Sequence, residues 1–227
     1  CIYAAKQLPQ IFRQDDPANK LTLDRARYTE LKELLDSLPT NTFTASDALG
    51  WVYQFWQTAA KEAANKAGDK INADTLPAVT QLFTEPYMVQ FNIDNTLGAW
   101  WINNDRTHAS PEQAPTAADF PYLRDPSTQC EAPKTTDGEA ETDIPNSQFL
   151  IPNSFPSWPQ RVQDLKILDP SMGSGHFLIT LFPLLAKMRM AEQGLSREDA
   201  AKAVLAENLH GLELDPRCAE IAAFALA

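Results

Sequence analysis

The chain has 227 residues, of which 44% are hydrophobic and 22% are charged, so it can build one large globular domain or two small ones. It contains no apolar run of the roughly 20 residues that cross a bilayer, and no basic stretch followed by an apolar block of the secretory kind. Its net charge of −11 has the wrong sign for a general nucleic-acid-binding surface.

Residues 1–110 show the periodicity of amphipathic helices. Three helices are predicted there, and we expect their apolar faces to pack together. Pro86 suits the third helix, because the first turn of a helix does not use the N–H that proline lacks. The predicted helices run from Thr22 or Asp24 to about Leu38, from Ser46 to about Gly68, and from Thr84 towards Gly98.

Prolines and acidic residues are concentrated between positions 111 and 160. This composition is typical of a connection rather than of a packed element. We therefore expect residues 111–160 to be an acidic linker or insertion that lies on the surface. The segment itself indicates no function.

Residues 161–227 alternate between short strands and helices. This order is typical of the first part of a doubly wound parallel sheet. The predicted fold class is therefore α/β, with a partial Rossmann-like sheet that follows the helical region. The strands are predicted at Lys166–Asp169 and Leu209–Leu214, and the helices at Phe177–Met190, from Ser196, and from Pro216 onward.

The three cysteines, Cys1, Cys130 and Cys218, lie far apart and without paired spacing. They indicate neither a metal site nor a disulfide framework, and they favour a reducing, cytoplasmic location. The chain begins at a residue other than Met and ends inside an apolar run at Ala227. We therefore expect it to be a portion of a longer protein.

The strongest motif is ILDPSMGSGHFL, in which a predicted strand ends at Asp169, turns through Gly173 and Gly175, and opens a helix. Glycines allow a ligand to approach the backbone, and free N–H groups at a helix start bind carboxylate or phosphate. The Asp169 carboxylate can accept from an ammonium group. Leu178 replaces the third glycine of a dinucleotide site, and His176 replaces the lysine of a P-loop. These features favour a zwitterionic amino-acid ligand.

A second acidic position follows the next predicted strand, in the segment GLELDP. The Glu213 carboxylate can accept from both hydroxyls of a ribose. Asp215 is instead expected to cap the helix that Pro216 begins. Glu213 follows the glycine turn by more than the roughly 20 residues of a simple unit. An additional helix, starting at Ser196, accounts for the difference.

These two segments resemble motifs I and II of amino-group DNA methyltransferases of the gamma arrangement, and FTEPYMV resembles their upstream motif. The segments LGWVYQF and DNTLG, within residues 49–101, resemble the helical lead-in of BREX-type phage-defence methyltransferases. Fused restriction-modification enzymes share much of this layout. The resemblance covers about residues 45–105 and 165–225. It implies the S-adenosyl-L-methionine-binding portion of a site-specific DNA adenine-N6 methyltransferase.

The resemblance also implies roles for single positions and for partners. The segment around Asp169 and the glycine turn would hold the methionine part, Glu213 the ribose, and Leu214 the adenine. Residues of the upstream motif would close over the cofactor from the side. Double-stranded DNA would bind mostly through regions outside this chain, with phage-defence or restriction proteins as partners. The implied cofactor-binding residues are Thr84, Pro86, Tyr87, Asp169, Pro170, Ser171, Gly173, Gly175, Glu213 and Leu214.

In this family, a loop containing Pro-Pro followed by an aromatic residue holds the target amine and stacks on a flipped base. The chain contains no Pro-Pro pair, so we expect it to hold no catalytic residue and to transfer no methyl group by itself. Two other classes stay open. A fragment of an NAD-dependent oxidoreductase would need the third glycine and a hydride-transfer site. A non-catalytic helical interaction module is disfavoured by the intact Asp169, Gly173, Gly175 and Glu213.

Overall fold

A computed structural model describes residues 2–9, 11–44, 48–68, 70, 72, 75–80, 83–103, 109–124 and 155–227. The chain forms two compact units, each assembled from separate segments. Unit 1 comprises Cys1–Thr84, Leu168–Ile179 and His210–Ala227, and unit 2 comprises Glu85–Ile167 and Thr180–Leu209.

Helices dominate the described residues, and two short strands accompany them. The α-helices are α1 (Ile2–Gln7), α2 (Arg25–Ser37), α3 (Thr40–Thr44), α4 (Ala48–Ala67), α5 (Leu76–Thr80), α6 (Pro86–Ile93), α7 (Ala99–Ile102), α8 (His176–Gln193), α9 (Arg197–Ala203) and α10 (Pro216–Leu226), and the strands are β1 (Ile167–Asp169) and β2 (Leu209–Gly211). One-turn 3₁₀ segments lie at Pro17–Lys20, Pro111–Gln113, Ala117–Asp119 and Val162–Asp164, and π-helical turns lie at Asp94–Gly98 and Val204–Asn208.

The two strands pair in parallel and are connected through α8 and α9, which is a partial α/β arrangement. The second strand is shorter than the predicted Leu209–Leu214, because β1 ends at Asp169 and leaves the residues after Gly211 without a strand to pair with. Leu212 pairs irregularly instead. Its N–H donates to the Asp169 carbonyl oxygen (2.9 Å), and its carbonyl oxygen accepts from the Met172 N–H (3.1 Å).

The predicted helix near Leu31–Leu38 is confirmed as α2, and the Asp24 side chain caps it by accepting from the N–H groups of Ala26 and Arg27. The expected packing of its apolar face is wrong, since no residue of α2 is buried and Leu34 is 62% exposed. Leucine spacing determines which face of a helix is apolar, but not whether another element covers that face.

The second predicted helix is α4, whose end at Ala67, beside Gly68 with φ 67°, agrees with the prediction. Its predicted start at Ser46 lies outside the described residues. Phe55 is 81% exposed, so this helix too leaves part of its apolar surface uncovered.

The third predicted helix begins at Pro86 rather than Thr84, because the backbone of Glu85 is non-helical (ψ 139°) and Glu85 takes the N-cap position. It passes through the π-helical turn and continues to Ile102, beyond the predicted end at Gly98.

Unit 2 has a core of aliphatic and aromatic side chains around α6 and α7. Gly98 contacts the buried Phe120 so closely that a Cβ there would come 2.7 Å from the ring. Trp101 Nε1 donates to the Pro115 carbonyl oxygen (2.9 Å). Part of the predicted surface linker therefore packs into this core, and residues 125–154 lie outside the described residues. The buried apolar residues of α6, the π-helical turn, α7 and the following segment are Val89, Ile93, Leu97, Ala99, Trp100, Trp101 and Phe120.

Among the described residues, no helix combines the length and the apolar content that a membrane span requires.

Candidate functional site

The glycine-rich turn between β1 and α8 has the backbone geometry that its sequence predicts. Asp169 Oδ1 accepts from the Ser171 N–H (3.1 Å), which closes an Asx turn at the strand end. Gly173 and Gly175 have φ values of 55° and 90°, in the left-handed region that disfavours side chains. The Gly175 N–H donates to the Met172 carbonyl oxygen (2.8 Å) and tightens the turn.

The same glycines also allow close packing within unit 1. A Cβ at Gly175 would lie 2.9 Å from the Ala222 Cβ on α10. A Cβ at Gly173 would lie 3.1 Å from the Phe83 ring. Both positions therefore meet a conformational and a steric requirement for glycine, independently of any ligand.

Glu213 follows β2, and its carboxylate reaches back to the glycine turn. Oε2 accepts from the Gly173 N–H (2.8 Å), and Oε1 accepts from the Asp215 N–H (2.8 Å). The structure thus brings Glu213 and the glycine turn into direct contact. An ionised carboxylate has about four lone-pair sites, and these two bonds occupy two of them. The group keeps acceptor capacity for a ligand.

The remaining predicted residues of unit 1 differ in exposure. Leu214 is 63% exposed and presents an apolar surface after β2. Pro170 and Ser171 are exposed, and Asp169 is half-buried. The strand ends therefore offer both apolar and polar groups to solvent.

The upstream motif is divided between the two units. In unit 1, His176 Nδ1 lies 3.0 Å from the Thr84 carbonyl oxygen, a hydrogen bond that requires the proton on Nδ1. The His176 ring also packs against Trp51 and Phe83, with centroids 5.9 and 5.3 Å away. His176 thus ties the residue before the unit boundary to the start of α8.

Pro86 and Tyr87 belong to unit 2, where they open α6. Pro86 occupies the first turn, as its missing N–H predicts. Tyr87 is 55% exposed, so its ring is available to solvent.

Asp215 caps α10 by accepting from the Arg217 N–H (3.0 Å), which confirms the prediction for this residue. Its carboxylate is also the centre of a network that sequence reasoning missed. The Tyr53 hydroxyl on α4 donates to Oδ2, and Arg217 Nε donates to Oδ1 (3.0 Å). The Arg217 guanidinium lies over the Tyr53 ring, 5.4 Å from its centroid.

This network shifts the titration of both acids. Burial raises the pKa of the Asp215 carboxyl, but hydrogen bonds from Arg217 and Tyr53 outweigh it and lower the pKa below the usual value. Burial and the hydrogen bond to Asp215 raise the pKa of the Tyr53 hydroxyl to about 12. The network therefore holds an ionised carboxylate against a neutral phenol at neutral pH.

An open cavity of about 640 Å³ lies between α4, α10 and the segment after α1, and we name it the α4–α10 groove. Phe12, Leu49, Trp56 and Phe224 make its walls largely apolar, and Arg217 and Glu220 add one charge of each sign. No residue predicted to bind cofactor lines this groove.

Comparison with known proteins gives one family match and two relatives. Residues 149–227 match the DNA-methyltransferase domain of MmeI. The adenine-specific methyltransferase PglX of Lacticaseibacillus casei (strain Zhang) is 31% identical over 96% of this chain, and the adenine-specific methyltransferase BrxX of Escherichia coli O9:H4 (strain HS) is 28% identical over 96% of it. The chain spans 17% and 16% of the lengths of these relatives. The matches confirm the resemblance to adenine-specific methyltransferases that the motifs indicated.

Proposed function

We propose that this chain, a relative of adenine-specific methyltransferases over 96% of its own length, is the S-adenosyl-L-methionine-binding portion of a site-specific DNA adenine-N6 methyltransferase. The contact between Glu213 and the Gly173 N–H, at 2.8 Å, carries this proposal. It joins two groups that would hold different parts of one ligand. The parallel pair of β1 and β2 supports the further proposal that the sheet is the start of a Rossmann-like methyltransferase domain.

The chemistry of the donor set fits the cofactor. Asp169 has one carboxylate oxygen in a bond to the Ser171 N–H, which leaves acceptor sites for an ammonium group. Glu213 retains sites for two ribose hydroxyls, and the exposed Leu214 can pack against an adenine ring. When bound, S-adenosyl-L-methionine supplies the methyl group for transfer.

The same residues give each part of the ligand a suitable partner. Asp169, Pro170 and Ser171 with the Gly173–Gly175 turn would orient the amino-acid part, and Glu213 would orient the ribose. Thr84 would close the methionine side in unit 1, and Pro86 and Tyr87 supply the rest of the upstream motif.

We propose that the whole protein acts in the cytoplasm on double-stranded DNA in phage defence or restriction-modification, with partner proteins of such a system. The descriptions of the relatives as adenine-specific methyltransferases and of the family domain as a DNA-methyltransferase domain support the methylation of adenine in DNA. The resemblance of LGWVYQF and DNTLG to BREX-type enzymes supports the phage-defence setting. The 227 residues contain no Pro-Pro pair, so we expect this portion by itself to leave DNA unmethylated.

The proposal is tested by the thermal stability of the chain with S-adenosyl-L-methionine, S-adenosylhomocysteine or NAD. A ligand at 100 times its Kd stabilises the folded state by about 2.7 kcal/mol. We expect stabilisation by the first two ligands and none by NAD. Asp169→Asn should weaken the first two responses, because it removes the carboxylate charge that attracts the ammonium group. Asp36→Asn, on the exposed α2, is the matched control.

Stabilisation by NAD alone would contradict the proposal and favour the oxidoreductase alternative. An unchanged melting temperature with all three ligands at saturating concentrations would contradict the assignment of a cofactor site to these residues.

A further inference from the structure

We infer that Tyr53 on α4 is a positioning residue for the ribose-binding carboxylate of Glu213, and that it acts through Asp215. The inference rests on the proposed function, in which Glu213 holds the ribose. It adds a residue from the helical region, outside every cofactor motif, to the determinants of ribose recognition.

A continuous series of hydrogen bonds joins α4 to the glycine turn. The Tyr53 hydroxyl donates to Asp215 Oδ2, and the Asp215 N–H donates to Glu213 Oε1 (2.8 Å). The Gly173 N–H donates to Glu213 Oε2 (2.8 Å). One oxygen of Glu213 is therefore oriented by the glycine turn and the other by Asp215.

Asp215 can serve as a rigid intermediate because it is only 2% exposed. A buried carboxylate is costly unless its oxygens are hydrogen-bonded, so Asp215 has a strong preference for the geometry that keeps all its donors. The anchored carboxylate and the N–H that donates to Glu213 are attached to the same Cα, so a displacement of the whole residue that follows loss of the Tyr53 bond also displaces this donor.

The two side chains that donate to Asp215, those of Arg217 and Tyr53, lie on different helices. Arg217 lies two positions further along the chain, on the helix that Asp215 caps. Its hydrogen bonds hold Asp215 at the start of α10, and its guanidinium reaches α4 only by lying over the Tyr53 ring. Tyr53 lies 162 positions away on α4 and holds Asp215 against a separate element. Among the contacts described for Asp215, this one ties the strand end to the helical region of unit 1.

Positioning matters most for discrimination between ribose and 2′-deoxyribose. A carboxylate that accepts from the 2′-hydroxyl favours the ribose ligand by about 10- to 100-fold, the usual contribution of a hydrogen bond to a charged group. A site built for a hydroxyl discriminates strongly only while its acceptor is held in place. Loss of the Tyr53 hydroxyl should therefore reduce this ratio.

The experiment is calorimetric titration of the 227-residue chain with S-adenosylhomocysteine and with its 2′-deoxyribose analogue. We expect the wild type to prefer the ribose ligand by about 10-fold or more. Tyr53→Phe keeps the ring beneath Arg217 but removes the donor, and should reduce the preference to about threefold or less. Tyr28→Phe, an exposed tyrosine of α2 in the same unit, should leave it unchanged.

Two further variants keep the test decisive. Glu213→Gln should abolish the preference, and adding Tyr53→Phe to it should cause no further loss, because residues that act in one series are not additive. Asp215→Asn should reduce the preference as Tyr53→Phe does, and it replaces that variant if melting shows that Tyr53→Phe is unfolded.

Equal weakening of both ligands in Tyr53→Phe, with the ratio preserved, would assign Tyr53 a purely structural role and overturn the inference. Failure of the wild type to bind either ligand would instead overturn the proposed function, and the inference with it. A preserved ratio in Glu213→Gln would overturn the ribose assignment on which both depend.

Discussion

Tyr53 and Asp215 illustrate how single residues obtain their properties from partners distant in sequence. Asp215 could be predicted as a helix cap, since Pro216 follows it and capping is a local event. Its bond to Tyr53 could not, because 162 positions separate the two and no periodic pattern relates them. The contact of Glu213 with the glycine turn was anticipated only as proximity, whereas the structure shows a direct hydrogen bond.

The raised pKa of Tyr53 predicts a stability loss at alkaline pH. The folded state holds this proton more tightly than the unfolded chain, in which tyrosine titrates near 10. Its contribution to folding is therefore complete below a pH of about 10 and is lost as the pH rises through about 12. Chemical denaturation should show a steeper decline of the unfolding free energy over this range in the wild type than in Tyr53→Phe.

Ultraviolet absorbance of tyrosinate gives an independent measurement on the folded protein. Of the five tyrosines, one should titrate last in the wild type and be missing from the titration of Tyr53→Phe. Two results together would contradict the hydrogen bond to Asp215. The unfolding free energies of the two proteins would have the same pH dependence, and the tyrosine missing from the titration of Tyr53→Phe would not be the last one to titrate in the wild type.

At the scale of elements, sequence reasoning found α2, α4, α8, α9 and α10 because each has local signals of periodicity or capping. It was wrong about two features that depend on a neighbouring element, the length of β2 and the burial of α2. The strand β2 is shorter than the predicted Leu209–Leu214, because pairing stops where β1 ends. The exposure of α2 was likewise unpredictable, since an apolar face alone does not reveal whether another element covers it.

The N-caps of α9 and α2 give a prediction at this scale. Ser196 Oγ accepts from the Asp199 N–H in α9, whose Ala200 is fully buried. Ser196→Ala should lower the global unfolding free energy by about 0.5–2 kcal/mol, and Ser196→Thr should retain most of the cap. Asp24→Ala removes the cap of α2, which has no buried residue, so it should reduce helical content with a smaller effect on global unfolding.

Circular dichroism and urea denaturation of the three variants measure both quantities. A loss of global stability in Asp24→Ala as large as that in Ser196→Ala would show that α2 is coupled to the packed elements, contrary to its exposure in the structure.

At the scale of the whole molecule, the cofactor assignment depends on strand ends and a turn that occupy a small part of unit 1. The partial α/β arrangement was predictable because the motif places a strand and a helix on either side of the glycines. The division into two units was not, since each unit combines segments from distant parts of the chain. The relatives extend well beyond these residues, so DNA contact and catalysis are proposed for the whole protein and not for this chain alone.

The central claim is that the glycine turn and Glu213 form the cofactor site. Amide chemical-shift mapping with S-adenosylhomocysteine tests it most directly. The account predicts that the largest shifts occur at the amides of Gly173, Gly175 and Leu214. Shifts confined to the α4–α10 groove, at Phe12, Trp56 and Phe224, with none at the glycine turn, would contradict it.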